Sequence, residues 1–190
     1  MLFRGLLAIA LLAVCCHSTW TEDTTSVGSP KTWSPVASSD DGTKLVAAVK
    51  GGNLWTSANS GNTWTVHAGG YEQWQSVASS SDGTKLVAAV YNGKLWTSTD
   101  SGSTWTAVGV TKTWYSVASS SDGTKLVAAV KGENLWISAN SGSTWTEHSG
   151  GWLDWMSVAS SSDGTKLVAA PHNGTLWTSA DSGITWTSVA

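Results

Sequence analysis

One phrase recurs four times along this chain, and it sets what the chain can fold into. Trp33, Trp74, Trp114 and Trp155 each open a W-x-S/P-V-A-S-S stretch, at spacings of 41, 40 and 41 residues. A second landmark, L-W, places Trp55, Trp96, Trp136 and Trp177 in register, and a third, T-W-T, places Trp64, Trp105, Trp145 and Trp186. Twelve of the 14 tryptophans are therefore positions of one repeat. A unit of about 40 residues is too small to bury its own faces, so neighbouring units must stack into a continuous core.

Each unit reads as four short strands. In the second unit the first is WQSVAS, followed by a turn at Asp82-Gly83. TKLVAAV is a continuous apolar run, which marks a strand covered on both faces. Asn92-Gly93 turns into KLWTS, and a final turn leads into TWT. Four antiparallel strands per unit, buried on both sides, describe the blade of a β-propeller. The expected fold is all-β, with four such blades over residues 33–190. The small Ala, Val and Ser suit the crowded middle of the ring, and the tryptophans suit its wider rim.

The last turn of every unit carries a box of the form S-x-D/N-S-G-x-T-W. It comprises Ser57, Asn59, Gly61, Thr63 and Trp64; Ser98, Asp100, Gly102, Thr104 and Trp105; Ser138, Asn140, Gly142, Thr144 and Trp145; and Ser179, Asp181, Gly183, Thr185 and Trp186. SANSGNTW, STDSGSTW, SANSGSTW and SADSGITW resemble Asp-box repeats, also called bacterial neuraminidase repeats. These occur in sialidases, sortilin-type receptors, xyloglucan-degrading enzymes and photosystem II assembly factors. The resemblance implies a propeller, but function on a shared fold has to be argued from a site. As a turn device, the acid accepts hydrogen bonds from its own loop, the glycine lets the backbone reverse and the tryptophan packs beneath. Asn replaces Asp in boxes one and three. An amide oxygen can still organise the turn, whereas a proton-transferring carboxylate could not be replaced in this way.

Residues 1–18 have the layout of a signal peptide: MLFR, the apolar GLLAIALLAVCC, then HS. The apolar run is shorter than the roughly 20 residues of a membrane span. A lipoprotein reading of LAVCC is disfavoured by Val14, which stands where a small residue is expected. Cleavage near Ser18 would remove Cys15, Cys16 and the only arginine, Arg4, leaving nine lysines against 13 acids, a net charge of −4. That balance argues against a nucleic-acid partner, and the mature chain has no disulfide to stabilise it. The expected location is extracellular, with a lumenal compartment as the alternative.

Sialidases, as the resemblance implies, bind substrate with an arginine cluster and attack with a tyrosine assisted by a glutamate. Here the mature chain has no arginine, and Tyr71, Tyr91 and Tyr115 pair with no recurring glutamate. His67, His148 and His172 lack metal-ligand spacing. No catalytic residue, metal or cofactor is expected.

Differences between the four units lie in the second turn (KGGN, YNGK, KGEN, HNGT) and in the connection to the next unit (VHAGGYEQ, AVGVTK, EHSGGWLD). In a propeller both lie on one face of the ring. The expected ligand-binding residues are accordingly His67, Tyr71, Glu72, Tyr91, His148, Trp152, Asp154 and His172, a mixture suited to sugars or a protein surface. The sequon Asn173-Gly174-Thr175 lies on the same face. The sequence supports a secreted, non-catalytic binding module with glycan as first ligand class and protein as second. A structural or assembly protein, like the photosystem II assembly factors, and an inactive glycosidase or sialidase-like fragment are the competing readings.

Units one and three share KG-x-N, a SAN box and an HxGG connection, while two and four share NG and an acidic box. The deeper period is thus about 81 residues, and any site would occur twice, which favours avidity. STWTE at 18–22 copies the STWT before unit three, so residues 19–32 read as a spare strand and linker. A closed four-bladed ring, an open arc and a piece of a longer array are all compatible with this. Exposed blade edges would favour a homodimer completing an eight-bladed ring.

Overall fold

The computed structural model describes residues 31–189, so the expected signal peptide and most of the spare strand and linker lie outside the described residues. Unit one forms β1 (Trp33–Ser38), β2 (Leu45–Val49), β3 (Gly52–Ser57) and β4 (Thr65–Glu72). Unit two forms β5 (Trp74–Ser79), β6 (Leu86–Val90), β7 (Gly93–Ser98) and β8 (Thr106–Lys112). The remaining strands are β9 (Trp114–Ser119), β10 (Leu126–Ser138), β11 (Thr146–Ser160), β12 (Leu167–Pro171), β13 (Leu176–Ser179) and β14 (Thr187–Val189). Every described pairing is antiparallel, and no helix occurs among the described residues.

The first two units are four-stranded meanders, β1-β2-β3-β4 and β5-β6-β7-β8, as the turn signals predict. Units three and four differ from that expectation, because they share one six-stranded sheet, β9 to β14. Two strands run on without a break: β10 carries on through the KGEN turn, and β11 carries on through the connection into unit four. The pairs Lys131↔Asp154 and Glu133↔Leu153 keep these segments extended, with register shifts on either side of Glu133. Left-handed Gly132 and Gly151 absorb the bends.

The LVAAV runs explain the core. Alternate residues of β2 face opposite sides of the sheet, and both sides are covered. Val46, Ala48 and Leu54 of unit one pack on Trp74, Val77 and Leu86 of unit two. Val87, Ala89 and Leu95 meet Trp114, Val117 and Leu126, while Val127, Ala129 and Leu135 meet Trp155, Val158 and Leu167. The units are thus joined by three copies of one apolar joint. Trp74, Trp114 and Trp155 are at most 1% exposed and sit inside the joints, not at a rim. The Trp74 indole N–H donates to the Gly52 carbonyl at 2.8 Å, and each of the three meets its own unit's L-W tryptophan edge to face at about 6 Å. Strands β1, β5, β9 and the end of β11 lie side by side in order. No comparable packing joins β1–β4 to β12–β14 among the described residues, so the sheets do not close into a ring.

Candidate binding face

Two families of turn define one face. In the box of unit two, Ser98 Oγ–H donates to Asp100 Oδ1 at 2.8 Å, as does the Thr104 N–H at 2.8 Å, and Thr104 Oγ1–H donates to Asp100 Oδ2 at 2.7 Å. Ser98 Oγ in turn accepts the Gly102 N–H at 2.8 Å. Asp181 repeats the pattern. Asn59 and Asn140 reproduce it with one bond reversed: their Oδ1 accepts the Thr63 or Thr144 N–H, while their Nδ2–H donates to the threonine hydroxyl. Ser60, Ser101, Ser141 and Ser182 join the glycine that follows them in the left-handed region, a demand the glycines alone do not reveal.

The Asp-Gly turns are built alike. Ser80 Oγ–H and Thr84 N–H both donate to Asp82 Oδ1, at 2.6 and 2.9 Å, and Asp41, Asp122 and Asp163 repeat this. Hydrogen bonds from the serine and threonine hold the Asp82 carboxyl down at about 2. Asp100 is also lowered to about 2, chiefly by the Thr104 hydroxyl and then its N–H. These carboxylates are committed to their turns and charged at neutral pH, a poor state for general acid or base work. Ser60, Ser101, Ser141 and Ser182 donate their N–H to Thr43, Thr84, Thr124 and Thr165, which ties each box to the Asp-Gly turn of its own unit.

Opposite lies the second face. Lys50, Tyr91, Lys131 and His172, all in second turns, donate their N–H to the carbonyls of Thr32, Gln73, Thr113 and Asp154, the residues that enter each unit. The second turn and the entering connection therefore meet here, as the comparison of units predicts. The connections themselves are strand for much of their length: Tyr71 and Glu72 lie in β4, and Trp152 and Asp154 in β11. Pairing with β3 and β10 extends them, through Gly52↔Glu72 and Lys131↔Asp154.

On this face Tyr71 is 85% and Trp152 77% exposed, and beside Trp152 the exposed Asp154 accepts the N–H of the exposed His172 at its carbonyl. Tyr91 stands edge to face with Tyr115 at 5.9 Å. Tyr115 was not among the expected binding residues; it fills the variable position after the entering tryptophan, where the other units have Ser34, Gln75 and Met156. Lys112 pairs with Glu133 and lies 5.1 Å over the Trp136 ring. His67 and His148 stand apart from this group. His67 Nε2 lies 2.7 Å from Thr56 Oγ1, and its pKa is lowered by burial, with partial opposition from Asp100 in the box of the next unit. His148 lines a pocket with Ile137, Ser182 and Ile184, again beside a box. Both therefore face the grooves between units rather than the variable turns. Among the described residues no cluster of three or more His, Cys, Asp or Glu could hold a metal ion.

No family model and no curated protein matches the chain. Among solved structures, 81% of it superposes on 24% of a GH74 enzyme from Niastella koreensis, with a TM-score of 0.63 and 26% identity. A YCF48 structure with bound D1 peptide matches over 80% of this chain and 51% of that one, at a TM-score of 0.61 and 12% identity. The Cps50 (Swd1) β-propeller domain of Myceliophteria thermophila matches over 85% and 56%, at a TM-score of 0.68 and 13% identity. The fold is that of a β-propeller. This chain spans about half of the YCF48 and Swd1 chains and about a quarter of the GH74 chain.

Proposed function

We propose that this propeller is a secreted, non-catalytic binding module that recognises glycan through its variable face. The observation that carries the reading is the coincidence of two patterns. The units differ where the second turns and connections meet, and there Tyr71 and Tyr91 stand with Glu72 at the entry to unit two, while Trp152 stands with Asp154 and His172 at the entry to unit four. Flat aromatic surfaces beside polar groups suit the apolar faces and hydroxyls of sugar rings. The opposite face supports a structural role, since the box and Asp-Gly carboxylates are engaged in their own turns. The N-terminal signal layout supports secretion.

In this reading the four repeats are four Asp-box blades of a larger ring that a second copy completes. A protein partner is the second reading, supported by the similar fold of a YCF48 that binds a D1 peptide. A glycan array run beside a pull-down tests the choice: discrete sugar signals support the first reading, and one abundant protein with no sugar signal supports the second.

A further inference from the structure

The three internal joints are built from four contacts that recur at every joint and a fifth that recurs at two, and the first and last described units carry the two unpaired halves of that set. At each joint the apolar trio of one unit is covered by the next: Leu54, Leu95 and Leu135 are 0% exposed, and Val77, Val117 and Val158 at most 8%. Lys44, Lys85 and Lys125 reach to 2.7–2.8 Å from where Gly83, Gly123 and Gly164 would carry a Cβ. Thr56, Thr97 and Ile137 crowd Gly102, Gly142 and Gly183 at 2.5 Å in the same way. Asp40, Ser81 and Ser121 donate their N–H to the Ser81, Ser121 and Ser162 carbonyls at 2.7–2.8 Å. Val117 and Val158 donate theirs to Ser76 Oγ and Ser116 Oγ.

At the last unit the equivalents of the giving half are bare. Leu176 is 52% exposed, and Lys166, Thr178 and Ser157 are exposed too. At the first unit the receiving half is bare. Val36 is 70% exposed, and nothing lies within 4 Å of the Cβ position of Gly42, where its sister glycines meet a lysine. The atoms nearest the Cβ position of Gly61 belong to Leu45 and Trp64 of its own unit, none nearer than 3.4 Å. Among the described residues the Ser162 N–H and the Asp40 carbonyl make none of the ladder bonds of their counterparts.

We propose that the last face of one chain docks on the first face of a second copy through a fourth version of this joint, and that two such joints close a two-chain ring. Lys166 then seats against Gly42 of the second copy, Ser162 N–H donates to its Asp40 carbonyl and Leu176 covers its Val36. A second copy is the occupant because its end is a copy of the surface already mated three times within the chain, while among the described residues no comparable joint forms between the first and last units. Head-to-tail contacts leave no free end once the ring closes. The proposal rests on reading the repeats as blades of one larger ring.

The test is mass by multi-angle light scattering and native mass spectrometry on the purified chain, with Val36→Asp and Leu176→Asp as variants and circular dichroism as the control for folding. The expected result is a two-chain mass for the unaltered protein and a one-chain mass for either variant. Mixing the two variants recovers a two-chain mass through the one intact joint. A one-chain mass for the unaltered protein, dimers that survive both substitutions, no recovery on mixing, or masses that grow beyond two with concentration would each overturn it. Sugar binding is measured in parallel on the same samples. A one-chain protein that binds sugar refutes the joint alone, and a two-chain protein that binds none refutes the reading of the variable face alone.

Discussion

Lys85 packs its stem against Gly123 of the following unit, 2.7 Å from the point where any larger residue would place its Cβ, and its ammonium donates to the neighbouring Asp122 carbonyl at 2.9 Å. Gly123 also holds φ at +67°. Its glycine is therefore required twice, once by the backbone and once by the joint. Gly123→Ala is expected to cost about 1–2 kcal/mol for the left-handed backbone and a further ~1–3 kcal/mol for overpacking. Gly42→Ala, with φ +69° and open space around it, should incur only the backbone part when measured on the single-chain Leu176→Asp variant. Urea unfolding of the two variants gives the comparison, and equal losses would contradict the joint as described.

Trp114 is the most heavily engaged of the tryptophans. It is 1% exposed, meets Trp136 at 5.9 Å and Trp145 at 6.4 Å, and donates its indole N–H to the Gly93 carbonyl of the previous unit. Trp114→Ala is predicted to cost about 3–5 kcal/mol, the range for emptying a large aromatic site. Thermal unfolding followed by circular dichroism checks it.

The turns predict an asymmetry between substitutions at one site. Asp100→Asn should leave the melting temperature nearly unchanged, since Asn59 and Asn140 already organise the same turn with one hydrogen bond reversed. Asp100→Ala removes the acceptor for the Thr104 N–H and both hydroxyls, and should lower it measurably.

Acid should unfold the protein over a defined range. Asp41, Asp82, Asp100, Asp122 and Asp181 are held near 2 in the fold, against 3.8 for the free side chain, by hydrogen bonds from serine and threonine, and Asp163 is lowered in the same way. Between those values the unfolded chain binds more protons than the folded one. The aspartates' contribution is then complete above about pH 4 and is lost as pH drops toward about 2. His67 adds a smaller slope of the same sign below its free value of 6.5, because burial lowers its folded pKa. Urea midpoints taken from pH 7 to pH 2 should show both, and His67→Gln should remove the upper one alone.

How much of this was legible beforehand varied with the kind of signal. The period-40 tryptophans and the Asp-Gly and box turns placed the meanders of units one and two, because turn chemistry is local. The fused sheet of units three and four was not legible, because the extended path through Gly132 and Gly151 depends on pairing between KGEN and WLD, which no single segment encodes. The rim expected for Trp74, Trp114 and Trp155 proved to be the joint itself, since their N–H groups find backbone carbonyls there. Variation among units located the face of Tyr71, Tyr91 and Trp152. It also drew in His67 and His148, whose positions within their strands turn them toward the grooves beside the boxes. Tyr115 was not expected beside Tyr91 because it lies within an otherwise repeated phrase.

If the variable face is the ligand site, its exposed rings are dispensable to the fold. Tyr71→Ala and Trp152→Ala should each change stability by no more than about 0.5 kcal/mol, as is usual for exposed positions. Equilibrium unfolding of the two single variants measures this directly.

The central claim, that one face is structural and the other binds, is tested most directly by calorimetric titration with the sugar giving the strongest array signal. The proteins compared are the unaltered chain, Tyr71→Ala/Trp152→Ala and Asp100→Asn. The account predicts binding by the unaltered chain, unchanged binding by Asp100→Asn and none by the double variant while it remains folded. Binding that survives the double substitution, or is lost with Asp100→Asn, would contradict it.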